Sequence, residues 1–162
     1  MKLSELAKDV GGEFGSIAHE TLTGYLDALD RLKLTDDSPA WRPHMRSRTR
    51  LRTAPVRYFV DPSLATAALN IGATELRADP PATGFHFEAL VVRDLRIYSQ
   101  LHRGQVDSWC DANGSEVNAI VTARDNKWAA FEIKLNPRDV DVAAAALLRF
   151  APHVIPIGAL GP

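Results

Sequence analysis

The sequence predicts an α/β (α+β) protein in which helices flank a mixed sheet, and three observations carry that expectation. From Phe85 onward the apolar periodicity runs helix, three-stranded meander, helix, strand. Before that point, two short helical stripes precede a segment in which arginine recurs at every second position. The length of 162 residues suits one packed domain, or a small helical module followed by a domain of roughly 100 residues.

Leu3, Leu6, Ala7 and Val10 recur at helical spacing, and Gly11-Gly12 ends that helix. Ser16 is placed to cap a second helix reaching about Leu32, with Ile17, Leu22, Tyr25, Leu26, Leu29 and Leu32 as its apolar stripe. Two helices across a glycine-bearing turn resemble a helix-turn-helix. Arg46, Arg48, Arg50 and Arg52 alternate with Ser47, Thr49 and Leu51. In an extended segment that spacing puts four guanidinium groups on one face, as in the wing of a winged helix. Residues 1–57 therefore read as a winged-helix-like module with a basic wing.

Residues 56–60 read as a short strand. Asp61-Pro62 starts a helix to about Leu69, aspartate as cap and proline at the first position. Asp79-Pro80-Pro81 and Gly84 mark a break, so residues 58–82 are read as a linker with a short helix and 83–162 as the second domain. The longest amphipathic helix is expected over 85–102, with Phe87, Leu90, Val91, Leu95, Tyr98 and Leu101 facing a core. Strands follow at 105–110 and 115–123, joined by an Asn113-Gly114 hairpin signal, and a turn at Asp125-Asn126 leads into a third at 127–135. Pro137 opens a last helix through an alanine run to about Phe150, and 153–157 is a final strand.

Charge is unevenly spread. Residues 1–41 carry a net charge of −4, residues 42–57 carry six arginines and no carboxylate, and residues 58–162 carry −3. The basic stretch is where an anionic partner is sought, either duplex DNA contacted without sequence specificity or an acidic protein surface. The helix at 16–29 contains Glu20 and Asp27 and no Lys or Arg, which weakens sequence-specific DNA reading. Cys110 is the one cysteine, so an intramolecular disulfide and a cysteine-built zinc cluster are excluded. No secretory signal or membrane-length apolar run is present, and a cytoplasmic protein without a membrane partner is expected. The five histidines show no metal-ligand spacing, and Trp41, Trp109 and Trp128 read as packing residues.

Strand alternation singles out one constellation. Glu116, Asn118 and Ile120 are expected on one face of their strand, with Val117, Ala119 and Val121 on the other. Placing Phe131 and Ile133 against the apolar set brings Glu132 and Lys134 beside Asn118 and Glu116. A carboxylate and a lysine two apart in an apolar strand are costly unless they have partners. Phosphodiester hydrolysis uses such a group: carboxylates hold Mg²⁺, and the metal with an adjacent lysine activates water and stabilises phosphate charge. Glu88, near the start of the long helix, is the candidate for a further acid. If the site is active, Glu116 and Glu132 are the metal ligands; otherwise no cofactor is required. No G-x-x-x-x-G-K phosphate loop occurs, so no unaided ATP hydrolysis is expected.

The strings "FHFEALVVRDL", "GSEVNAIV" and "WAAFEIKL" resemble the restriction-endonuclease-like, or PD-(D/E)XK, fold. More narrowly, the chain resembles the domain of unknown function that follows the ATPase module in a group of prokaryotic AAA-type ATPases. "TLTGYLDALDRLKL", "PAWRPHMRSRTRLRTAP" and "RYFVDPSLATAAL" resemble that group's winged helix and linker. The resemblance implies a nuclease-like sheet and an ATPase module as the family partner. The chain departs from the family where E-V-D is replaced by Glu116-Val117-Asn118, and the stretch before "HVIPIGALGP" reads as shortened. Asparagine offers a cation a neutral oxygen and lacks the charge of a bridging aspartate.

Three readings follow. The first is a non-catalytic, degenerate nuclease-like module that binds nucleic acid or a protein through the arginine stripe and the old cleft. The second is an active Mg²⁺-dependent endonuclease using Glu88, Glu116, Glu132 and Lys134. The third is a structural or regulatory appendage, or a truncated gene product.

Overall fold

The computed structural model describes residues 3–41, 54–111, 114–125 and 127–151. The arginines at 46, 48, 50 and 52 and the expected strand at 153–157 lie outside the described residues. Helix α1 (Leu3–Gly11) and helix α2 (His19–Arg31) form where the stripes place them. Ala7 and Leu22 are their buried apolar residues. The cap differs from expectation: α2 starts after Ala18, with no side-chain cap, while the Ser16 hydroxyl donates to the carbonyl of Ile17. The chain turns between the helices because Ile17 N–H reaches back to Ala7 O at 3.0 Å.

Residues 34–38 and 56–60 run antiparallel, but not as the strand expected at 56–60. Two isolated bridges, Thr35 with Phe59 and Ser38 with Val56, make an irregular ribbon. Arg96 pins this ribbon to the long helix through the Asp36 carboxylate at 2.7 Å, and its guanidinium lies 5.6 Å from the centre of the Tyr58 ring.

Helix α3 (Ser63–Leu69) begins one residue later than expected, with Pro62 and not Asp61 in the cap position, though Asp61 Oδ1 still accepts Ser63 N–H at 2.8 Å. Helix α4 (Ala73–Ala78) was not anticipated, because six residues carry no readable stripe; the Glu75 carboxylate holds its first turn by accepting Gly72 N–H. The expected break at 79–84 is instead the start of helix α5 (Pro80–Ser99). Asp79 caps it by accepting Ala82 N–H at 3.0 Å, and the two prolines occupy first-turn positions whose missing N–H groups need no partner. Its buried stripe also differs. Val92 and Ser99 are buried, with Glu88 and Leu95 half-buried on the same face, whereas Leu90, Tyr98 and Leu101 are exposed. Leu95 packs against the Val92 cluster as the stripe placed it, and with Glu88, Val92 and Ser99 it marks a face turned slightly from the expected one.

Strands β1 (Gln105–Cys110), β2 (Glu116–Thr122) and β3 (Trp128–Phe131) form an antiparallel sheet in the order β1-β2-β3. The molecule is α+β; among the described residues the parallel component is one bridge between Ala40 and Ser108. Gly114, at φ 87°, closes the β1–β2 turn. Register slips between Asp107 opposite Ile120 and Trp109 opposite Val117, so β2 carries one extra residue there. That bulge overturns simple alternation. Val117 and Ile120 face one way with Trp41, Trp109 and Phe150, while Ala119 faces Val92 and Val106 on the α5 side. Ile120 therefore does not share a face with Glu116 and Asn118.

Pro137 opens a 3₁₀ turn (Pro137–Asp139) that leads into helix α6 (Val140–Phe150). Phe150 and Leu147 cover the sheet face opposite α5. Trp109 and Phe150 meet edge to face at 4.9 Å, and Trp41 and Trp128 complete the aromatic cluster. The tryptophans are packing residues, as their sequence context indicated. No described helix is long and apolar enough to cross a membrane.

Candidate functional site

Glu88 heads the buried stripe of α5 and so faces the sheet. Tyr58, from the ribbon, donates its phenol proton to Glu88 Oε1 at 2.6 Å. Burial pushes the Glu88 carboxyl above its ordinary range; the Tyr58 bond opposes this, nearby Glu116 and Glu132 add to it, and Lys134 offsets them in part. Burial, then the bond to Glu88, pushes the Tyr58 phenol well above its ordinary value. Glu88, Glu116, Glu132 and Lys134 thus lie in one electrostatic neighbourhood.

Glu132 and Lys134 pair with each other. Lys134 Nζ donates to Glu132 Oε1 at 2.7 Å, and the Glu132 side chain is only 5% exposed. The bond to Glu132 is the main cause holding the Lys134 ammonium pKa above its ordinary value. Glu132 Oε2 is buried and accepts no hydrogen bond among the described residues. The third strand stops at Phe131, so the pair sits just past its end, not within a strand to residue 135. Phe131 is 38% exposed, and Ile133 alone of the two packs against the Val92 cluster.

Asn118 explains that ending. Its Oδ1 accepts the backbone N–H of Ile133 at 2.7 Å, taking over where the β2–β3 ladder leaves off. That amide oxygen serves the fold as a backbone acceptor. Among the described residues no three His, Cys, Asp or Glu side chains are grouped so as to hold a metal ion.

Tyr58 was not singled out from the sequence, where it is one aromatic in an apolar run. The signal was present, since a Tyr placed among buried residues needs a partner for its hydroxyl. His86 carries no metal-ligand spacing in the sequence. Its Nδ1 meets the Ala82 carbonyl at 2.9 Å, its Nε2 is buried with no hydrogen-bond partner among the described residues, and the residue borders the cleft beside Glu88.

Residues 1–75 match the model of a family described as Domain of unknown function (DUF8612). No curated protein and no solved structure matches the chain.

Proposed function

We propose that this chain is a degenerate, non-cleaving nuclease-like module, of the kind that follows the ATPase module in AAA-type ATPases. We propose further that it binds duplex DNA through the arginines at 46, 48, 50 and 52. The observation that carries the loss of cleavage is the Asn118 bond to Ile133. An amide oxygen already accepting a backbone proton, and carrying no charge, is a poor Mg²⁺ ligand. The Glu132–Lys134 pair supports the same reading, since each group neutralises the other instead of a metal or a phosphate. Binding then rests on the basic segment, whose arginines release counterions from the duplex without reading its sequence.

The unpartnered Glu132 Oε2 favours a second reading, an active Mg²⁺-dependent endonuclease, because a buried carboxylate oxygen without a donor is a position a cation can fill. Binding is tested by fluorescence anisotropy with a short duplex over a salt series. Changing all four arginines to glutamine is expected to weaken binding and to reduce the log–log salt slope by about 3 to 4. Absence of binding by the unaltered chain at low salt would contradict the DNA reading.

A further inference from the structure

We draw no further inference here: the strongest candidate, the exposed apolar face that Ile97, Tyr98 and Leu101 form across the end of α5 and the turn after it, carries nothing because nothing in the structure shows what covers it.

Discussion

The bond from Tyr58 to Glu88 joins the ribbon to α5 at a half-buried carboxylate. Glu88 has its carboxyl pKa raised above the ordinary 4.5, so the folded chain holds that proton more tightly than the unfolded chain does. Its contribution therefore opposes folding at neutral pH, and the opposition is relieved as pH falls through the raised value toward 4.5. Glu88→Gln keeps an acceptor for Tyr58 and removes the charge. It is expected to raise Tm by about 3 °C at pH 7, with the gain shrinking at acid pH in a series of thermal melts. Tyr58→Phe removes the bond that lowers the Glu88 pKa, so the Glu88 carboxyl should titrate at still higher pH by carbon NMR. The same variant should lose about 1–2 kcal/mol of stability in urea. An unchanged Glu88 midpoint would show that the phenol does not act on this carboxylate.

Among the elements, the bulge in β2 does most to position the site. It places Asn118 beside the end of β3 and turns Ile120 to the aromatic cluster. Asn118→Ala leaves Ile133 N–H without its acceptor and is expected to cost about 1–2 kcal/mol by chemical denaturation. Gly104, between α5 and β1, permits the close approach of those elements; an added Cβ lies 3.1 Å from Ser99 Cβ and 3.2 Å from Thr122 O. Gly104→Ala is therefore expected to be destabilising by about 1–3 kcal/mol, read from the same denaturation curves. These features were poorly legible in the sequence. Alternation at period two cannot reveal an inserted residue, and Asn118 gives no sign that its amide will replace a ladder bond. The α5 stripe is legible only in part: Leu95 lies on the core face, but the apolar residues of α5 outnumber the places against the sheet, and the spacing does not single out Val92 and Ser99. Asp79-Pro80-Pro81 is ambiguous, since two prolines can end one segment or open a helix, and here Asp79 caps one.

For the whole molecule the α+β class was legible, because three strands and two flanking helices each had their own period and turn signal. The nearness of Glu88, Glu116, Glu132 and Lys134 depends on more than strand pairing, since Glu88 comes from α5 and Glu132 and Lys134 lie past the end of β3. The tie to Tyr58 was not legible, since it joins residues thirty apart through an irregular ribbon. The proposed reading is a nuclease-like module that does not cleave. The most direct measurement is nicking of supercoiled plasmid with Mg²⁺ or Mn²⁺, comparing the unaltered chain with Asn118→Asp and Glu132→Ala. Intact plasmid with the unaltered chain is predicted, with any gain confined to Asn118→Asp. Nicking by the unaltered chain that disappears in Glu132→Ala would contradict the account.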